Sequence, residues 1–136
     1  MSEAINVKRA MSASTELLAS GEYDQALHIL DQAIQDCLGA SGERMWIRTL
    51  CHHAAVIADF AGKPGLVKGY YEQSLACDPE NPRALYGLAR VYLELGEDLV
   101  AETYAKRCYD AVKQSSDERS RGLLELIAKR WPQLST

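Results

Sequence analysis

The sequence predicts an all-α fold built from antiparallel helix hairpins, and three observations carry that prediction. Apolar residues recur at i, i+3, i+4 and i+7 through seven segments, the period of helices packed along one side. Glycines at 21, 62 and 96 break alternate segments and mark the turns between paired helices. No stretch alternates apolar and polar residues as a half-buried strand would.

Each element has its own signal. Residues 3–20 are predicted as a first helix with Ala10, Ala13, Ser14 and Leu17 inward, broken by Gly21. Tyr23, Ala26, Leu27, Leu30, Ala33 and Ile34 pattern the second, which Gly39 and Gly42 end. The third is expected from about Glu43 to Ala61, longer than its counterparts, with Ile47, Cys51, Ala54, Ala55 and Ala58 inward. Gly62 and Pro64 turn the chain, since a proline's fixed φ and missing N–H suit a first helical position. Leu66, Val67, Tyr70, Tyr71, Ser74 and Leu75 then form the fourth helix, closed by Asp78-Pro79. Asn81 caps the fifth and Pro82 opens it, with Leu85, Leu88, Ala89 and Tyr92 on one face. Leu99, Ala101 and Tyr104 open the sixth, which runs to about Lys113. Ser115-Ser116-Asp117-Glu118 offers a capping box for a seventh, striped by Leu123, Leu124, Ile127 and Trp131 until Pro132. Loops this short make successive helices antiparallel.

Composition narrows the function. The 136 residues are 47% hydrophobic and 25% charged, enough for one continuous core. A net charge of −4 does not favour a nucleic-acid partner. No apolar run approaches the ~18 residues of a membrane span, and no signal-peptide pattern opens the chain, so the expected compartment is the cytoplasm. Cys37, Cys51, Cys77 and Cys108 form no C-x-x-C pair and are expected as reduced thiols packed like small hydrophobes.

Motifs of catalysis are missing from the reading. There is no glycine-rich phosphate loop, H-E-x-x-H or nucleophile elbow; Gly62-Lys63-Pro64-Gly65 lacks the phosphate-loop spacing. His52 and His53 are adjacent, hence about 100° apart on a helix, and Val56 and Ile57 stand at i+4 where a carboxylate ligand would be needed. No catalytic residue, metal or cofactor is expected, and the chain reads as a non-enzyme.

An internal repeat completes the picture. Superposing 48–81 on 82–115 pairs Ala55 with Ala89, Gly62 with Gly96 and Tyr70 with Tyr104, a period of 34. From Gly21 to Gly62 the spacing is 41, seven more, and the extra residues are assigned ahead of Arg48 in the third helix. Seven residues are close to two turns, so they lengthen a helix without rotating its inward face.

Leu85, Leu88, Ala89, Tyr92, Gly96, Ala101, Ala105 and Cys108 resemble one tetratricopeptide repeat. Cys51, Ala54, Ala55, Ala58, Gly62, Val67, Tyr71, Ser74 and Pro79 resemble a second, and Ala10, Ala13, Ser14, Leu17, Gly21, Ala26, Leu30 and Ala33 a first. Ala105 departs from the usual aromatic, no repeat has the family's tryptophan, and only the second keeps the closing proline. The resemblance covers about residues 7 to 115. It implies a right-handed α-solenoid of about seven helices forming a single domain over 1–136. Repeat 1 spans about 7–40, repeat 2 about 41–81 with an extended first helix, repeat 3 82–115, and a capping helix 116–131.

The same resemblance implies a protein-binding adaptor whose concave groove is lined by the first helix of each hairpin. The stripe offset from the core holds Lys8, Met11 and Thr15, then Thr49, His52, Val56 and Asp59, then Arg83, Tyr86, Arg90 and Leu93. Tyr86 between two guanidiniums suits a protein or peptide carrying an acidic or C-terminal carboxylate group. An ordinary solvated helix face explains the same residues. Relatives that grip chaperone C-termini use basic and amide residues where this chain has Met11, Thr15, His53, Arg83 and Gly87. Only Arg83 matches, so a different ligand is expected.

A second reading is self-association. Leu123, Leu124, Ile127 and Trp131 form a candidate face for a homodimer; alternatively Trp131 folds back over the third hairpin as a cap.

Overall fold

A computed structural model describes residues 3–39 and 44–135, and all the regular structure among them is helical. The helices are α1 (Glu3–Ala19), α2 (Tyr23–Gly39), α3 (Arg44–Phe60), α4 (Pro64–Cys77), α5 (Pro82–Glu94), α6 (Asp98–Val112) and α7 (Glu118–Arg130). A 3₁₀ turn over Pro132–Ser135 follows. The chain divides into two compact units, Met1–Asp78 with α1 to α4 and Pro79–Thr136 with α5 to α7. The expected break at Gly42 and helix start at Glu43 lie outside the described residues.

Three turns are built alike, and they are the repeat made visible. Gly21, Gly62 and Gly96 have φ of 75°, 71° and 80°. The amide after each glycine returns to a carbonyl five residues back: Glu22 to Leu17 at 2.9 Å, Lys63 to Ala58 at 3.0 Å, Glu97 to Tyr92 at 2.9 Å. Each glycine N–H also reaches the carbonyl three residues back. Together these bonds satisfy the orphan carbonyls at a helix end and reverse the chain. Seven residues before each glycine stands a small buried residue, Ser14, Ala55 or Ala89, all 0% exposed. A larger side chain there would overpack the hairpin.

The seven additional residues are shared between two helices. α2 has 17 residues against 14 in α4, and α3 has 17 against 13 in α5, so the excess is three plus four. Expecting them all in α3 located the four ahead of Arg48 and overlooked the last turn of α2. Over the described residues α3 and α1 each have 17. An uninterrupted apolar stripe hides where along two consecutive helices an added turn was placed.

In the first unit α1 packs on α2, α2 on α3 and α3 on α4, and α1 also touches α3. Val7, Leu30, Ile34, Leu50 and Ile57 form the centre of the core. The Tyr70 hydroxyl of α4 donates to Asp31 of α2 at 2.6 Å. Lys63 pairs with Asp24 at 2.7 Å and Arg48 with Asp78 at 2.8 Å; both pairs are solvent-exposed enough to add little stability.

In the second unit Leu85, Leu88 and Ala89 of α5 pack with Ala101, Ala105 and Cys108 of α6. Ala105 is fully buried. One residue away, the Tyr104 ring stacks on Tyr92 at 5.6 Å and 6°. Arg107 lies over Tyr104 at 5.4 Å and donates to the Pro79 carbonyl at 3.2 Å. Asn81 accepts from the Arg83 amide and Pro82 opens α5, as the sequence predicts. At α7 the capping box is not used as expected. Asp117 is the cap, its carboxylate accepting from the Ser120 amide at 2.8 Å, and Ser115 donates to Asp117 instead. A carboxylate two residues nearer the helix is the stronger acceptor for its amides.

Candidate binding surface

The candidate residues lie on α1 and α3 in the first unit and on α5 in the second. On α1, Lys8, Met11 and Thr15 follow one another at i, i+3 and i+7; Lys8 and Thr15 are exposed and Met11 half-buried. On α3, Thr49, His52 and Val56 are half-buried and Asp59 is exposed. Thr49 donates to its own helix at the Met45 carbonyl, 2.9 Å.

α1 and α3 meet through Thr15 and His53. Thr15 Oγ1 lies 3.2 Å from His53 Nε2 and also donates to the Met11 carbonyl at 2.8 Å. With the hydroxyl hydrogen engaged, the Thr15 oxygen accepts from the imidazole N–H. Burial lowers the His53 pKa, opposed in part by a bond to the Met11 carbonyl, so the ring prefers its neutral form. His52 turns the other way: its ring centroid is 6.3 Å from that of Tyr71 on α4. The adjacent histidines thus diverge as helix geometry requires, and His53, outside the expected stripe, makes the contact between first helices. Only its match to a clamp position in relatives pointed to it. Among the described residues no three His, Cys, Asp or Glu side chains are grouped to hold a metal ion.

In the second unit Arg83, Tyr86 and Arg90 share one flank of α5. Arg83 is exposed, while Tyr86 and Arg90 are half-buried. Glu94 stands one turn beyond Arg90, with 3.8 Å between guanidinium and carboxylate. That carboxylate tempers the positive charge of the line, a feature the stripe alone did not include.

The face expected on α7 is divided. Leu123 and Leu124 are half-buried, but Ile127 and Trp131 are 0% and 4% exposed. Trp131, expected at the centre of a pairing surface, is thus among the buried side chains. The large exposed apolar side chains of this unit are instead Leu95, Leu99, Val100 and Leu126.

None of the four cysteines forms a disulfide. Cys37, Cys51 and Cys108 are buried and Cys77 half-buried. Burial pushes both Cys51 and Cys108 up to about 12. Groups this reluctant to ionise are packing elements rather than nucleophiles. Among the described residues no helix is long and apolar enough to cross a membrane.

Paired helices, recurring glycine turns and a small residue seven positions before each turn define a class, the helical-hairpin repeat proteins. Within that class the tetratricopeptide resemblance is supported directly: the profile of the tetratricopeptide repeat family matches residues 70–99, from the middle of α4 into α6. The Yersinia enterocolitica type III secretion translocator chaperone SycD, in a structure described as an alternative dimer, is similar with a TM-score of 0.65. It is 18% identical, over 91% of this chain and 92% of that one. SycD in complex with a peptide of the translocator YopD has a TM-score of 0.65 at 17% identity, over 96% of both chains. The Sgt2 TPR domain of Aspergillus fumigatus has a TM-score of 0.65 at 14% identity, over 95% of this chain and 81% of that one. The fold is therefore all-α and TPR-like. Among curated protein sequences, none matches the chain.

Proposed function

We propose that this chain is a non-catalytic adaptor that binds a segment of a partner protein along the first helices of its hairpins. The observation that carries the reading is the line of Arg83, Tyr86 and Arg90 on one accessible flank of α5, the helix at the centre of the match to the tetratricopeptide profile. Two guanidiniums flanking a flat ring suit a peptide with an acidic side chain or a C-terminal carboxylate. In the first unit, taken by itself, Lys8, Met11 and Thr15 on α1 and Thr49, His52, Val56 and Asp59 on α3 are the candidate contacts. A structural neighbour bound to a peptide supports the same kind of role.

An array of peptides with free carboxylate ends, probed with the intact chain, tests this. Each charge-assisted bond lost costs about 1.5–3 kcal/mol, so Arg83→Ala with Arg90→Ala should weaken the best peptides by more than roughly tenfold. Unchanged affinity of the double variant for every bound peptide would remove these residues from the binding surface.

A further inference from the structure

Within the second unit, a shift of 36 carries the cap of α5 onto the cap of α7. Asn81 falls on Asp117, and each side chain accepts an amide of its own first turn. The same shift carries Ala84 and Val91 onto Ser120 and Ile127, and all four are buried. Both helices pack on α6, so α7 repeats the register of α5 and turns the equivalent flank outward. Arg83 falls on Arg119, Arg90 on Leu126 and Glu94 on Arg130. Arg119 and Arg130 are exposed and Leu126 is 44% exposed. Gly122 takes the place of Tyr86, with open space where a Cβ would stand. Where a carboxylate tempers the α5 line, α7 thus has a second guanidinium. Glu118 and Glu125 stand about 100° around the helix from this flank. Among the described residues neither Arg119 nor Arg130 forms an ion pair.

We propose that Arg119, Leu126 and Arg130 form a second subsite for the partner protein. The segment it takes is extended, with two carboxylates about five residues apart and a large apolar side chain between them. This deepens the adaptor reading and rests on it. Arg119 and Arg130 are separated by about 16 Å along α7, which an extended chain covers in roughly five residues. Each guanidinium can donate two parallel N–H bonds to a carboxylate. Half-buried Leu123 and exposed Leu126 lie in the interval and receive the apolar side chain beside the space above Gly122. The net charge of −4 opposes long-range attraction to nucleic acid, so this local pair of cations favours a short acidic segment.

The probes are fluorescein-labelled peptides of serine and glycine with one leucine between two glutamates, set two, five or eight residues apart. Fluorescence anisotropy with the full chain should favour the five-residue spacing. Arg119→Ala with Arg130→Ala should weaken that probe by more than roughly tenfold and erase the preference, with helical circular dichroism unchanged. Leu126→Ser should weaken it several-fold. Loss of binding in Arg83→Ala with Arg90→Ala but not in the α7 variants leaves the adaptor reading standing and overturns this subsite. Loss confined to the α7 variants removes the α5 line and supports the subsite. A parent that binds no spacing, or all of them equally, overturns the proposal. So does equal affinity for an oligothymidylate of matching charge, or a doubled mass in the parent that Leu126→Ser abolishes.

Discussion

Thr15 on α1 and His53 on α3 touch at 3.2 Å across 38 positions of sequence, joining the first helices of two successive hairpins within the first unit. The bond is directional because the Thr15 hydroxyl is already given to the Met11 carbonyl, which leaves the imidazole N–H as donor.

That geometry makes the first unit sensitive to acid. Burial lowers the His53 pKa below its ordinary 6.5, so beneath pH 6.5 the unfolded chain binds a proton that the native ring resists. Stability from this group is full above about 6.5 and falls as pH drops towards the depressed native value. Urea unfolding at pH 7.5 and 5.5 should show the loss, and His53→Gln should flatten the slope between them. An unchanged slope in the variant would assign the acid sensitivity elsewhere.

The glycines separate into two kinds. Gly96 has a φ of 80° and open space where a Cβ would sit, so Gly96→Ala is opposed by backbone strain alone, about 1–2 kcal/mol. Gly69 lies inside α4 with similar open space and no such φ, and Gly69→Ala should stabilise by ~0.5–1 kcal/mol. Thermal unfolding of the two variants should therefore move in opposite directions.

Asp117 carries the start of α7. Its carboxylate accepts from Ser115 and from the Ser120 amide, which holds its pKa below the usual carboxylate range. Asp117→Ala should fray the first turn of α7, while Asp117→Asn, which keeps an acceptor, should lose much less. Hydrogen exchange at Ser120 and Arg121 reports the fraying directly; equal protection in both variants would deny the cap its role.

Thiol reactivity should follow burial. Iodoacetamide at neutral pH should label Cys77 first, since it alone is half-buried. Cys51 and Cys108, with thiols pushed up to about 12, should react only as the chain unfolds. Mass spectrometry of peptides from briefly treated protein distinguishes these sites, and early labelling of Cys108 would contradict its placement between α5 and α6.

Most of the architecture was legible in the residues because it is local. A glycine at 21, 62 or 96 and apolar residues at helical spacing determine where each helix ends and which face it buries, using only neighbours within a few positions. The tetratricopeptide pattern added the pairing of Ser14, Ala55 and Ala89 with those turns. Less legible was the location of the seven extra residues, since lengthening α2 or α3 preserves the same apolar stripe.

Tertiary structure decided what depends on residues far apart in sequence. Helical spacing separates His52 from His53 by about 100°, but only packing shows that His53 meets Thr15 while His52 lies near Tyr71. It likewise assigns Trp131 to the interior and sets Glu94 beside Arg90, tempering the positive charge of that line. A stripe fixes the direction of a side chain; what covers it, and which charge stands opposite, is supplied by another helix.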